Sequence, residues 1–164
     1  NLATLLQDKG NYKEAEIYFQ KSLAIRRRKL GDDHQEVGTS LHNLGGLLYL
    51  KGEYAESEKL ERQSIGVYQK SLKPDHWMIY RSRRGIGECL IKLKRYREAE
   101  VELLTAFAGL KAALGDRHAQ TRKTAGRLIE LYEAWGKPDQ AETYRAALEE
   151  KKTKVDTLMP SKNP

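Results

Sequence analysis

Apolar residues recur along this chain with helical spacing. Leu41, Leu44, Leu47 and Leu48 fall at i, i+3, i+6 and i+7, one face of a helix. The stripe predicts a helix over about 36–51, closed by Gly52, with Asp33 and Glu36 placed as a capping box at its start. A second helix is predicted over about 53–72, carrying Tyr54, Ala55, Leu60, Ile65 and Tyr68. The pattern then repeats. His34, His76 and His118 stand 42 residues apart, and so do Tyr12, Tyr54 and Tyr96, Leu30, Leu72 and Leu114, and Glu16, Glu58, Glu100 and Glu142. A period of that size, without insertion or deletion, signals stacked helix pairs in which each unit contacts its neighbours.

The punctuation follows the same register. Gly10, Gly52 and Gly136 break the helix pairs, with Lys94 standing in for glycine in the third unit. Pro138 falls in the first turn of the last helix, where proline is tolerated. Residues 31–34, 73–76 and 115–118 connect successive units. Ala3, Gly45 and Gly87 share a column where a missing side chain lets helices approach, and Ile129 departs from it in the last unit. A short final helix with Glu149, Glu150, Lys151 and Lys152 reads as a polar cap. The expected fold is all-α: an α-solenoid, a right-handed superhelix of antiparallel helix pairs, about eight helices. Its units are expected at about 1–35, 36–77, 78–119 and 120–152, followed by a flexible tail at 153–164. The register puts Asn1 mid-helix, as its counterpart Asn43 is, so the chain reads as a piece of something longer.

Composition narrows the chemistry. Of 164 residues, 39% are apolar, enough for a solvated helical array. The single cysteine excludes an internal disulfide framework and a multi-cysteine zinc site, and suits a reducing compartment. It falls in the column of Leu5, Leu47 and Leu131, so Cys89 is expected in the core. No apolar run approaches membrane-span length. The formal charge of +7 permits acidic partners without singling one out. The run Arg26, Arg27, Arg28 and Lys29 ends a second helix, where cations suit the helix dipole, and lacks a stacking aromatic beside it for nucleic acid.

The histidine ladder invites a metal reading, but residues in register stack in a row and do not converge on one ion. Packing against or capping the following helix explains the spacing better. No metal and no cofactor are expected. Trp135 is expected to pack the last helix pair, and Trp77 lies at a connector.

Asn1-Leu2-Ala3 with Gly10, Tyr12, Ala15 and Phe19 resembles the tetratricopeptide repeat, and Asn43-Leu44-Gly45 with Gly52 and Tyr54 resembles it again. Gly87 with Tyr96 and Ala99, and Gly136 with Ala141, continue the likeness. The 42-residue period and the connectors Leu-Gly-Asp-Asp-His at 30–34 and Leu-Gly-Asp-Arg-His at 114–118 resemble the kinesin-light-chain type. Similar arrays end some bacterial signalling proteins and serine/threonine kinases, and 131–138 resembles the end of such arrays. No kinase motif is present in the chain itself.

The resemblance implies a concave face lined by the first helix of each unit. Residues off the leucine stripe then face the groove: Thr39, His42, Asn43, Gly46 and Tyr49 in unit two, Arg81, Arg84, Glu88 and Lys92 in unit three, and Lys123, Arg127 and Glu130 in unit four. The first unit offers Asn1, Thr4, Gln7 and Asp8. In the family, asparagine at the position of Asn1 and Asn43 clamps an extended peptide; Gly85 and Arg127 replace it in the second half. The arginines suit carboxylates, unless Glu88 and Glu130 pair with them instead.

The expected function is a protein–protein interaction scaffold, cytoplasmic and not an enzyme. It would bind a peptide or partner segment, acidic or ending in a carboxylate. A regulatory segment of a bacterial kinase and a nucleic-acid-binding helical repeat are the alternatives. Nucleic acid and membrane are not the expected partners. Self-association through an exposed apolar N-terminal end is a further option.

Overall fold

The computed structural model describes residues 2–156, with side chains placed for 2–149. Asn1 and the part of the expected tail at 157–164 lie outside the described residues. Among the described residues the chain forms eight helices and no strand: α1 Leu2–Asp8, α2 Tyr12–Leu30, α3 Gln35–Leu50, α4 Tyr54–Ser71, α5 Trp77–Lys92, α6 Tyr96–Leu114, α7 Ala119–Ala134 and α8 Pro138–Asp156. Each packs on the next in chain order, and the first helices α3, α5 and α7 also touch one another along one face. This is an all-α solenoid of helix pairs.

The histidine ladder turns out to be a set of helix caps. His34, His76 and His118 precede α3, α5 and α7, and each Nδ1 accepts the backbone N–H two residues on, at 3.2, 3.3 and 3.2 Å. An imidazole nitrogen here does what a serine or aspartate oxygen usually does for an unpaired N-terminal amide. The Asp33–Glu36 capping box is therefore not the device used. α3 starts at Gln35, so the cap must sit at 34, and the two acids reach elsewhere: Asp33 to Lys70 at 2.9 Å and Glu36 to Arg26 at 3.1 Å.

The turn inside each pair needs left-handed backbone. Gly10, Gly52 and Gly136 have φ of 78°, 83° and 72°, and Lys94 adopts 59° in the same column. Between pairs, Gly31 and Gly115 end α2 and α6 at φ 85°. Lys73 and Pro74 replace the corresponding Gly-Asp, and α4 stops one residue earlier in the register, at Ser71, with Leu72 extended. Proline bars helical backbone at the residue before it, which substitutes for the glycine stop.

Packing between helices relies on matched large and small residues. A Cβ on Gly87 would meet Leu103 Cγ at 2.5 Å, and one on Gly38 would meet the Tyr68 ring at 2.7 Å. Leu41, Leu47, Ile86, Leu90, Leu103, Leu128 and Leu131 are essentially fully buried, each contributing roughly 1.5–3 kcal/mol of transfer free energy. Leu2 and Leu5 are each 51% exposed, although Leu44, Ile86 and Leu128, and Leu47, Cys89 and Leu131, occupy their columns buried. In α4 the expected Ala55 is exposed, and Ser57 instead takes the buried column of Ala15, Ala99 and Ala141.

The core comes in two apolar clusters. One holds Ala3, Phe19, Leu41 and Leu47; the other runs from Ile65 and Tyr68 to Leu131 and Ala141. A polar seam of Ser57, Glu61, Ser64 and Ser82 lies buried at the junction of α3, α4 and α5. Ser57 donates to Gly45 O at 2.7 Å, Ser64 donates to Gly38 O at 2.8 Å, and the Ser64 and Ser82 hydroxyls are 3.2 Å apart.

At the far end, α8 is 19 residues long, matching α2 and α6, and is not the short cap expected. Tyr144 holds it against Tyr132 and Phe107. Trp135 packs against the apolar cluster that includes Leu131, Tyr132 and Ala141 of the last pair. It stacks on Tyr96 of the preceding pair, 6.0 Å between centroids, with Lys137 Nζ 3.3 Å from its own ring centre.

Candidate functional site

A groove of about 300 Å³ runs along the first helices. It is lined by Thr4 and Gln7 of α1, His42, Asn43, Gly46 and Tyr49 of α3, Arg84, Gly85 and Glu88 of α5, and Lys123 and Arg127 of α7, with Phe19, Ser57 and Glu61 reaching in from second helices. A stripe of leucines on one side of each first helix turns the remaining polar side into this space. A larger hollow, about 620 Å³, lies at the α1–α2 turn beside Leu50 and Lys51, but it is more open and draws on two units only.

Seven of the eleven residues expected in the site meet here: His42, Asn43, Tyr49, Arg84, Glu88, Lys123 and Arg127. The other four do not line the groove. Thr39 Oγ1 is engaged with Gln35 O and the Tyr68 hydroxyl. Arg81 also reaches that hydroxyl and lies over the Trp77 ring, 5.2 Å from its centre. Lys92 and Glu130 pair with each other at 2.7 Å.

The arginines are committed to protein partners. Arg84 is 5% exposed, donates to Gln120 Oε1 at 2.6 Å, and has Nε 3.3 Å from Glu88. Burial lowers its pKa against the pull of Glu88. Arg127 bridges Glu88 at 3.0 Å and Glu130 at 2.7 Å. Burial works against its charge, but the two carboxylates outweigh that and its pKa is raised. Burial likewise opposes the Glu130 charge, yet hydrogen bonds from Lys92 and Arg127 hold its carboxyl below the ordinary range. Among the described residues Lys123 is exposed and has no ion pair, and the Asn43 side chain has no hydrogen bond. The groove therefore carries a locked ionic floor with an open cation at Lys123 and an open amide at Asn43.

Glu61 was not foreseen. It stands in the column of Phe19 and Leu103, so an acid interrupting an apolar column was the available signal. Gly85, noted only as a lost asparagine, makes room for it: a Cβ there would lie 2.6 Å from Glu61 Oε1.

Other expected chemistry resolves into structure. Cys89 is buried, donates to Ser57 Oγ at 3.2 Å, and burial pushes its thiol up to about 12. Among the described residues no three His, Cys, Asp or Glu side chains gather as a metal site, and no helix is long and apolar enough to cross a membrane.

Stacked helix pairs with a groove along their first helices define a helical-repeat array, and its first part resembles a known family. Residues 1–70 match the tetratricopeptide repeat family. The tetratricopeptide identification stands on that segment, and the later pairs continue its 42-residue register. The fold is similar to that of BtubC (BKLC) from P. vanneervenii, with a TM-score of 0.82 at 17% identity, covering 99% of this chain and 65% of that one. It is also similar to a kinesin-light-chain-type protein from Podosopora anserina with nearly identical TPR-like repeats. There the TM-score is 0.73 at 21% identity, covering 94% of this chain and 73% of that chain. No curated protein matches the chain.

Proposed function

We propose that this array is a protein-binding scaffold whose groove takes an extended, acidic partner segment. The observation that carries the reading is the contrast inside the groove. Every charged residue lining it is paired except Lys123, and the Asn43 amide, an acceptor and a double donor, is left open in the same groove. Tetratricopeptide arrays mediate protein–protein interaction, which supports a peptide as the ligand. Asn43 supplies two hydrogen bonds to a peptide backbone, and Lys123 supplies the preference for carboxylates.

The buried Arg84 is a poor probe, because its removal would leave Gln120 without its partner and take one of two cations from Glu88. Fluorescence anisotropy with labelled Asp/Glu-rich and Lys/Arg-rich peptides is the direct test. The acidic set should bind more tightly. Lys123→Glu should reverse that order, and Asn43→Ala should weaken binding by about tenfold, the value of one or two backbone hydrogen bonds. Equal affinity for both sets, with both variants silent, would overturn the reading.

A further inference from the structure

His42 sits where the buried polar seam meets the groove. Its Nδ1 lies 2.8 Å from Glu61 Oε2, and Ser82 Oγ is 3.4 Å from the same nitrogen. The carboxylate is 2% exposed, in a column that is apolar in the neighbouring units. A charge so buried requires a hydrogen-bond donor, and the His42 Nδ1–H is the one it has. That assigns the single proton of the neutral ring to Nδ1. Nε2 then carries a bare lone pair. It makes no hydrogen bond among the described residues, and its ring lines the groove.

We propose that His42 is a proton-gated carboxylate reader within the groove. When Nε2 is protonated, the ring donates to a carboxylate of the bound segment; when it is not, the lone pair repels that group. This rests on the groove-binding reading above and adds to it a chemical trigger. Binding a carboxylate takes up a proton at Nε2, so affinity rises as pH falls. Uptake of one proton limits the dependence to about tenfold per pH unit. The imidazole is the side chain whose ordinary titration falls between pH 5 and 8. The titratable groups that share the groove with it are Glu61 of α4, Arg84 and Glu88 of α5, Lys123 and Arg127 of α7, and Tyr49 of α3 itself. The residues of α1 and α2 that line it are uncharged.

The capping histidines provide internal controls. His34, His76 and His118 use Nδ1 as an acceptor for backbone N–H and lie away from the groove. The experiment is an NMR titration of all four imidazoles from pH 8 to 5. It is run without additive, then with N-acetyl-glutamate N-methylamide, N-acetylglycine or N-acetyl-glutamine N-methylamide. The first additive presents a side-chain carboxylate, the second a C-terminal one, the third none. The His42 midpoint should move up with at least one carboxylate, identifying its source, and stay in place with the glutamine compound. The three caps should not follow it. Uniform movement of all four, or an equal response to glutamine, would overturn the proposal.

A second arm separates this proposal from the one it rests on. If an acidic peptide binds the wild-type protein with the same affinity at pH 8 and 5.5, or His42→Gln leaves the pH dependence intact, the histidine has no such role while the groove keeps its ligand. If the small carboxylates move His42 but no peptide binds, the groove reading fails alone. Circular dichroism of His42→Gln establishes that the variant is folded, and Glu61→Gln, which removes the charge that fixes the tautomer, should also flatten the pH dependence.

Discussion

The absent Cβ of Gly87 would lie 2.5 Å from Leu103 Cγ. α5 and α6 approach as closely as they do because one residue has no side chain and the other fills the space. Gly87→Ala should therefore cost about 1–3 kcal/mol, the usual penalty of forcing an extra carbon into a packed core. Urea denaturation followed by circular dichroism reads this directly. Gly126→Ala, where a Cβ meets nothing within 4 Å, should be neutral or slightly stabilising.

Lys94 occupies the turn position that is glycine in the other three units, at φ 59°. Left-handed backbone costs a side-chain-bearing residue roughly 1–2 kcal/mol. Lys94→Gly should raise stability by about 1 kcal/mol. Glycine in place of Ala108, exposed in the interior of α6, should instead lower it by a similar amount.

Each histidine cap satisfies one amide at the start of a first helix. His34→Ala, His76→Ala and His118→Ala should each lose about 0.5–2 kcal/mol, with asparagine at the same position recovering most of it. The caps are far apart along the array, so the triple variant should approach the sum of the three. Thermal and urea melts of the single and triple variants check both the size and the additivity.

Glu130 links the groove charges to acid stability. Its carboxyl is held below the ordinary range by Lys92 and Arg127, against a burial effect of opposite sign. A depressed folded value means the contribution is present at neutral pH and is lost as pH falls through that value. Stability measured from pH 7 to 2 should drop in the acid limb, and Glu130→Gln should make that limb shallower. The pair is partly solvated, so the difference should stay near or below about 1 kcal/mol.

The thiol of Cys89 should be inert in the folded protein, since burial holds it protonated and in contact with Ser57. A maleimide should label it only on the timescale of unfolding, and immediately in concentrated urea.

How much of this could be read from the sequence divides by register. Positions that repeat every 42 residues fixed the helix pairs, their glycine turns and the small-residue contacts, because each column has one environment repeated along the stack. The cap was harder. Asp33 and Glu36 have the composition of a capping box, yet the helix begins one residue later than that motif requires. The groove was legible as a face but not as a network: Arg84 and Arg127 were visible in their columns, while Gln120, which takes the buried Arg84 donor, comes from a different helix start. Glu61 breaks the column of Phe19 and Leu103, but the resemblance places only first helices on the concave face, and Glu61 belongs to a second helix. Its carboxylate crosses to the groove through the space left by Gly85.

The central claim is that the groove along α1, α3, α5 and α7 is where a partner segment lies. Amide and side-chain NMR shifts during titration with the tightest acidic peptide test it most directly. The account predicts the largest changes at the Asn43 side-chain amide, Gly46, Gly85 and Lys123, and little change on the second helices around Arg97 and Val101. Changes centred on that outer face, with the groove resonances unmoved, would contradict it.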